Sequence, residues 1–348
     1  MKIDYYAGVH IDYKGNDVNP GNFLAVLKGN SSAVPEGFPV LKSTSEDNVF
    51  INFVDHGGVH VLCFPNEDLD AVHLNEALTY MSDKKMFKNL LLYVEACESG
   101  SMFSKILPKN ERIIVLTAAK PDESSYACYF SKELDTFLGD AFSVEWMENA
   151  DISDLTHTTI YQQYKLLKNE TTQSHVMMYG ERSLERMKLS QFMGPNNPKI
   201  SHAPVKKDGE YISLPSREVD LYTLTKRYQK YVNNSEKREA ILEELLAMLK
   251  KREHVKKSMQ LIFEDINQRF FSSLKYEDFM MTHEGQFLNY DCYKKLRVAY
   301  TKNCYSGNEV PQVYDNYRML MNMCHYDASH ESVYVKIIED VCRNVKQN

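Results

Sequence analysis

Three short apolar runs in the first half of the chain predict the strands of a sheet. Residues 49–54, 90–94 and 113–116 are mostly apolar and rich in β-forming side chains, a pattern typical of strands buried on both faces. A helical pattern around residues 74–86 lies between the first two runs. Because strands separated by helices favour right-handed crossovers, the pattern predicts an α/β domain with a mostly parallel sheet flanked by helices.

The pattern changes in the second half of the chain. Residues 195–220 place several prolines among Asn, Lys, Ser and Gly without an apolar period, which indicates a linker. From residue 236 to about residue 271 the apolar positions recur at helical spacing, and helical segments alternate with cysteines beyond it. We therefore predict an α/β domain over residues 1–195, a linker over 196–235 and a small all-α domain over 236–348.

Composition limits the classes of function that remain. The 348 residues are 43% hydrophobic and 26% charged, as in an ordinary globular protein, and the net charge of −7 gives no reason to expect nucleic acid as a partner. No stretch approaches the ~20 apolar residues of a membrane span, and the first residues show no signal-peptide pattern. The first half is acidic and the second slightly basic, so the two could dock on each other.

Four cysteines crowd into the last part of the chain. Their spacing lacks the paired C-x-x-C of a zinc site and favours two disulfides, for which three connectivities are possible. Disulfides indicate an oxidising compartment, so either these cysteines are reduced or the natural chain begins further upstream. The four are Cys292, Cys304, Cys324 and Cys342. Glycosylation sequons, which favour the same compartment, begin at Asn30, Asn169 and Asn233.

Two reactive side chains follow the ends of the first two predicted strands. His56 precedes Gly57, and Cys97 lies between two glutamates. A thiolate nucleophile needs a base or a cation, which His56 could provide, and oxyanion donors, which the backbone N–H groups of Gly57 and Cys97 could provide. Taken singly, a lone cysteine is more often inert and buried, and a loop histidine merely hydrogen-bonded. The carboxyl ends of parallel strands meet at one edge of a sheet, so the pair together favours a catalytic site.

Four blocks of sequence resemble the legumain family of caspase-like cysteine peptidases, the asparaginyl endopeptidases. They are FVDHGG (53–58), YVEACESGSM (93–102), TAAKPDESSYACYF (117–130) and TFLGDAFSVEWMENAD (136–151). The resemblance extends from residue 6 to the C-terminal cysteines. It implies a caspase-like fold and cleavage of protein substrates after Asn, more weakly after Asp, with no metal or cofactor.

The resemblance also implies roles for single residues. Cys97 would be the nucleophile, His56 its base or ion-pair partner, and Glu95, Ser125 and Asp140 the specificity pocket, with Ser124 nearby. An asparagine side chain offers an NH₂ donor pair and a carbonyl acceptor, so a pocket for it needs acceptors such as these carboxylates. Without the resemblance, the carboxylates would be interpreted as capping or solvated groups and the serines as turn residues.

The back half resembles the autoinhibitory prodomain of the same family. The resemblance implies the pairing Cys292–Cys324 and Cys304–Cys342, and release of the prodomain at acidic pH with a cut after Asn234. Asn234 could also simply start the helix that follows it. The partners implied are asparagine-containing substrates, the chain's own prodomain and cystatin-type inhibitors. The compartment implied is lysosomal, vacuolar or secretory.

The chain departs from the family pattern at its start. The family carries an upstream segment with further strands, an asparagine that orients the histidine and an arginine that donates to the substrate carboxamide. We expect the sheet without those strands to expose the edge of residues 49–54, and Glu95 and Asp140 to lack a cation. A non-catalytic, inhibitory binding module therefore remains an alternative. The related lipid-anchor transamidase is another, but it should have a membrane segment and no such C-terminal cap.

Overall fold

A computed structural model describes residues 8–195, 211–271, 274–281 and 289–347. The first part of the predicted linker, residues 196–210, lies outside the described residues. The strands are β1 (Asn48–Val54), β2 (Gly57–Gly58), β3 (Val61–Cys63), β4 (Asp68–Asp70), β5 (Asn89–Glu95), β6 (Ile113–Thr117), β7 (Tyr126–Ser131), β8 (Thr136–Asp140), β9 (Met177–Gly180) and β10 (Leu214–Pro215).

The helices alternate with these strands as far as β10, and the described residues beyond β10 form helices without strands. They are α1 (Pro20–Leu27), α2 (Ala71–Asp83), α3 (Ala141–Ile152), α4 (Ile160–Glu170), α5 (Ser190–Met193), α6 (Val219–Lys230), α7 (Ser235–Ile266), α8 (Tyr276–Phe279), α9 (Tyr290–Asn303), α10 (Tyr317–Asp327) and α11 (Glu331–Gln347). No helix within the described residues is long and apolar enough to cross a membrane.

The central sheet has the order β1-β5-β6-β9. Strands β1, β5 and β6 run parallel, and β9 is antiparallel at the far edge. Every residue of β5 is buried, because helices cover both faces of this central strand and strands flank it on both sides. The predicted fold class, a mostly parallel sheet flanked by helices, is confirmed.

Strand β1 forms an edge of this sheet. The expectation that residues 49–54 are buried on both faces is wrong for the described structure. Only Val49 is buried in this strand, and Val54 is 47% exposed. The reason is that, among the described residues, β1 has a neighbouring strand on one side only, which is β5. The expected exposed edge is therefore present, and it leaves the end of β1 open to the pocket described below.

The C-terminal part is an all-α domain stapled by two disulfides, as predicted. Cys292–Cys324 joins α9 to α10, and Cys304–Cys342 joins the end of α9 to α11, so the pairing implied by the resemblance is confirmed. The helices share one apolar core, which also takes in Val59, Val61 and Cys63 of the α/β domain. The two domains thus dock through a continuous buried surface, and burial of apolar area is the dominant favourable term in such contacts.

Polar contacts reinforce the docking surface. The hydroxyl of Tyr293 on α9 donates to the carbonyl of Val59 at 2.7 Å. Arg297 on the same helix pairs with Asp68 at 3.0 Å and also with Asp70, both from β4. The guanidinium is nearly enclosed, so these ion pairs form out of water, where removing one partner is expensive. The acidic first half and the basic second half meet here.

The segment before α6 is more ordered than a linker. Leu214 and Pro215 form β10, which pairs antiparallel with Ala127 and Tyr126 of β7. A 3-10 turn, Ser216–Glu218, leads directly into α6, and α6 packs on α7. Residues 214–218, called the cleft segment below, therefore lie against the α/β domain.

Candidate active site

The register of the central sheet brings His56 and Cys97 to the same edge. Val54 at the end of β1 pairs with Glu95 at the end of β5, and the two candidate residues each follow two positions later. The backbone of Gly57 lies against this turn. A Cβ on residue 57 would be 2.5 Å from the carbonyl oxygen of Cys97 and 3.0 Å from the Cβ of Ala96, so only glycine permits this approach.

Cys97 is fully buried and lies against Ser125. The backbone N–H of Ser125 donates to the sulfur at 3.3 Å, and the Ser125 Oγ lies 3.5 Å from it. Burial raises the pKa of Cys97, while the positive charge of Arg217 acts in the opposite direction. In this docked form the sulfur is therefore held as a thiol, which is a weaker nucleophile than a thiolate.

A pocket of about 350 Å³ opens beside the cysteine. It brings together four of the residues singled out from the sequence, from the β1–β2 connection, β5, the residue directly before β7, and β8. These are His56, Glu95, Ser125 and Asp140. Ser124 is half-buried and next to this pocket in sequence, but it is not among the residues that line it.

Two carboxylates share the buried end of the pocket. Glu95 is 2% exposed, and its Oε2 accepts from the backbone N–H of Ser143 at 2.7 Å, whereas its Oε1 has no partner among the described residues. Burial and the nearby charge of Asp140 raise the pKa of Glu95 to about 8. Burial raises the pKa of Asp140 to about 6. No lysine or arginine is among the described residues that line the pocket, as expected, so its carboxyl groups bind protons readily and their free oxygens favour an occupant that donates hydrogen bonds.

The candidate base stands between acidic neighbours. His56 lines the pocket together with Asp55 and Asp220. Burial lowers the pKa of His56, the charges of Asp55 and Asp220 raise it, and the charge of Arg217 lowers it. Burial outweighs the two carboxylates, so the pKa of His56 lies below its ordinary value and the ring is neutral, and able to accept a proton, at neutral pH.

Arg217, in the cleft segment, was not singled out from the sequence. It is 3% exposed, and its Nη2 donates to the carbonyl of Gly57 at 2.6 Å. Its two Nη atoms also pair with the carboxylate of Glu98, and Nη1 contacts Asp315 of the helical domain. Burial raises the pKa of Glu98 to about 7, and the guanidinium acts in the opposite direction.

Ser216 fills part of the pocket. Its backbone N–H donates to the Ser125 carbonyl at 3.0 Å. Its Oγ lies 3.2 Å from the Ser125 Oγ and donates to Asp140 at 3.4 Å. The helical domain holds the next residues from outside, since Gln312 and Arg252 donate to the Arg217 carbonyl at 2.7 and 3.3 Å. The cleft segment thus covers the site and is clamped from outside.

Residues 1–195 match the Peptidase C13 family. The chain is 39% identical over 326 residues to human legumain, spanning 92% of this chain and 74% of that protein. It is 36% identical to the hemoglobinase of Schistosoma japonicum (97% and 77%) and 32% identical to the vacuolar-processing enzyme of Ricinus communis (95% and 70%). The chain belongs to the peptidase C13 family of cysteine peptidases. The family resemblance stated from the sequence is confirmed.

The remaining predicted sites of this family member lie on its surface. Asn234 is exposed and caps α7, its side chain accepting from the backbone N–H of Lys237 at 3.1 Å, so it does start a helix. Its position also leaves it reachable by a peptidase. Each sequon asparagine is exposed as well. These are Asn30, Asn169 and Asn233.

Proposed function

We propose that the chain is the precursor of a legumain-like endopeptidase that hydrolyses peptide bonds after Asn, and more weakly after Asp. The observation that carries the proposal is the pocket that joins His56 to three polar side chains beside Cys97. Membership in the peptidase family supplies the reaction class, and the site supplies residues for each role. The names of the relatives favour a lysosomal or vacuolar compartment.

The proposed chemistry uses the cysteine and histidine as nucleophile and base. Cys97 loses its proton to His56 and attacks the carbonyl carbon, forming an acyl-enzyme and releasing the amine, which takes the proton. Water, activated by His56, then releases the acid. The backbone N–H groups of Gly57 and Cys97 are our candidates for stabilising the oxyanion, because the Gly57 backbone lies against Cys97.

The proposed specificity follows from the donors and acceptors in the pocket. The carboxamide N–H₂ of a substrate asparagine would donate to the free Oε1 of Glu95 and to Asp140. A substrate aspartate could donate only when protonated, so it should be cleaved more weakly and only at acidic pH. The Oγ of Ser125 could donate to the carboxamide oxygen.

Autoinhibition is part of the proposal. The cleft segment occupies the pocket through Ser216, and the helical domain clamps it through Asp315 and Gln312. A peptide substrate would need the same space. Release of the helical domain, followed by a cut after the exposed Asn234, would open the site.

The docking surface contains a group whose titration favours release in acid. His60 packs edge-on against Tyr290 of α9, with 5.7 Å between the ring centroids, and its Nδ1 has no hydrogen-bond partner in the part of the chain that the structure describes. Burial, with the charges of Arg318 and Arg297, lowers the pKa of His60 to about 4. An undocked, hydrated His60 would bind a proton more readily, so acid favours the undocked state.

The carboxylates of the ion pairs at the same surface have the opposite effect on the pH dependence of docking. Burial raises the pKa of Asp68 and of Glu98, so these carboxylates bind protons more readily when docked than in water. Their protonation therefore does not by itself favour undocking. This is why we assign acid release to His60 rather than to the interdomain carboxylates.

The test is to hold the full chain at acidic pH and follow intact mass together with cleavage of an Ala-Ala-Asn reporter. We expect a cut after Asn234 and turnover of the reporter, both lost in Cys97→Ser and both retained in Cys128→Ala, which removes another buried thiol. A chain that stays uncut and inactive would overturn the proposal. It would leave the inhibitory binding module as the better assignment.

A further inference from the structure

The cleft segment lies in the site as an extended peptide. Leu214 and Pro215 pair antiparallel with β7, and the Ser216 N–H continues this pairing by donating to Ser125. An added strand that pairs through its backbone is a recurrent way for a protein to bind a peptide. Since the Ser216 side chain enters the specificity pocket, residue 216 stands where the residue before the scissile bond of a substrate would stand.

The register fixes the position of the next residue. Arg217 follows Ser216 and so stands where the residue directly after the scissile bond would stand. Its partners are of two kinds. Glu98 and the Gly57 carbonyl belong to the peptidase domain, whereas Asp315 belongs to the helical domain. Only the first kind would remain beside Cys97 after the helical domain has left.

The two acceptors that belong to the peptidase domain form a binding site for a cation. Glu98 is 7% exposed and accepts from both Nη atoms of Arg217. Gly57 offers a carbonyl to one of the same atoms at 2.6 Å. A planar guanidinium fits two carboxylate oxygens at once, and a buried carboxylate would repel an acidic side chain in the same place.

We propose that Glu98 and the carbonyl of Gly57 form the subsite for the residue directly after the scissile bond, and that this subsite selects arginine or lysine. The inference rests on the proposed function and deepens it. Preferred cleavage sites would then be Asn-Arg and Asn-Lys bonds.

The first test compares three quenched peptides, Ala-Ala-Asn-Arg-Gly, Ala-Ala-Asn-Ala-Gly and Ala-Ala-Asn-Glu-Gly, with the acid-treated full chain. We expect kcat/KM for the arginine peptide to exceed that for the alanine peptide by about tenfold, the size of one charge-assisted hydrogen bond, with the glutamate peptide slowest. Glu98→Gln should remove most of this preference, while Glu181→Gln, at a distant surface pair with Arg112, should keep it. Equal rates for the arginine and alanine peptides, or a preference that survives in Glu98→Gln, would overturn the subsite.

A second measurement separates this inference from the proposed function. Binding of the arginine and alanine peptides to the uncut Cys97→Ser chain needs no turnover, and calorimetry measures it at the acidic pH that releases the helical domain. Tighter binding of the arginine peptide, lost in Cys97→Ser/Glu98→Gln, supports the subsite even if no peptide is cleaved by the unmodified chain. Equal binding of the two peptides overturns it, whatever the outcome for catalysis.

Discussion

The guanidinium of Arg217 pairs with the carboxylate of Glu98, the residue directly after Cys97. This contact joins the cleft segment to the turn that carries the candidate nucleophile. Arg217 is also held by Asp315, so one side chain connects the peptidase domain, the cleft segment and the helical domain. Loss of this side chain should therefore open the site, while also removing a positive charge that lowers the pKa of Cys97.

Arg217→Ala should expose Cys97 in the intact chain. Removing one partner of a buried ion pair costs about 3–5 kcal/mol, so the cleft segment should leave the site far more often. The measurement is the rate of Cys97 alkylation by iodoacetamide at neutral pH, read by peptide mass mapping. Arg182→Ala, which removes an exposed pair with Glu185, is the matched control. An alkylation rate equal to that of the unmodified chain would contradict the role of Arg217.

The stability of the chain should depend on Glu95 and on pH. The pKa of Glu95 is raised to about 8 and that of Asp140 to about 6, so between about pH 4 and pH 8 the folded state binds more protons than the unfolded state. The contribution of these two groups to folding is therefore most favourable in acid and is lost as the pH rises through these values. The glutamine in Glu95→Gln cannot ionise. The free energy of unfolding of this variant, relative to that of the unmodified chain, should therefore be higher at pH 8 than at pH 5.

The readout is the thermal midpoint of the full chain and of Glu95→Gln at both pH values. We expect the difference between the two proteins to change by several degrees, since one pKa unit is about 1.4 kcal/mol. Glu133→Gln, on the exposed turn between β7 and β8, serves as the comparison and should follow the unmodified chain. If the thermal midpoints of Glu95→Gln and the unmodified chain differ by the same amount at pH 5 and at pH 8, the pKa assignment is contradicted.

Docking of the helical domain should weaken in acid through His60. The pKa of His60 is lowered to about 4 when docked, and a hydrated histidine titrates near 6.5, so the docked state is favoured above about pH 6.5 and progressively loses this advantage toward pH 4. At pH 5 the loss is about 2 kcal/mol. His60→Phe keeps a ring against Tyr290 but cannot take up the proton.

Hydrogen exchange of α9 in the Cys97→Ser background reports this docking without self-cleavage. We expect exchange to rise between pH 7 and pH 5, after correction for intrinsic rates, and to rise much less in His60→Phe. The exposed His157 provides His157→Phe as a control that should behave like the parent. If His60→Phe opens over the same pH range as its parent, another group controls release.

The central sheet could be predicted from the sequence because its signal is local. The run at residues 90–94 matches β5, which is buried throughout, since a central strand needs apolar side chains on both faces. The same pattern gave a wrong prediction of burial for β1, because an apolar run does not reveal whether a second neighbouring strand is present. The two disulfide pairings came from family resemblance, since spacing alone allowed three connectivities.

Arg217 and Ser216 could not be predicted from local pattern. Arg217 is separated from Glu98 by 119 residues and from Asp315 by 98, and its segment has no apolar period. The proline next to Ser216 suggested a linker, although an extended residue pair can equally add to a sheet. Only the folded chain brings Glu98, Gly57 and the cleft segment together.

The order of the chain gives the exposed Asn234 a particular consequence. Arg217 precedes Asn234, whereas Asp315 and Gln312 follow it. A cut after Asn234 would therefore leave the cleft segment covalently attached to the enzyme and turn its clamp into a separate molecule. Before the cut, clamping is intramolecular and independent of protein concentration; afterwards it is a bimolecular equilibrium that dilution reverses. Residual inhibition of the cut protein should then rise with its concentration, and the freed helical fragment, held by its two disulfides, should act on other copies.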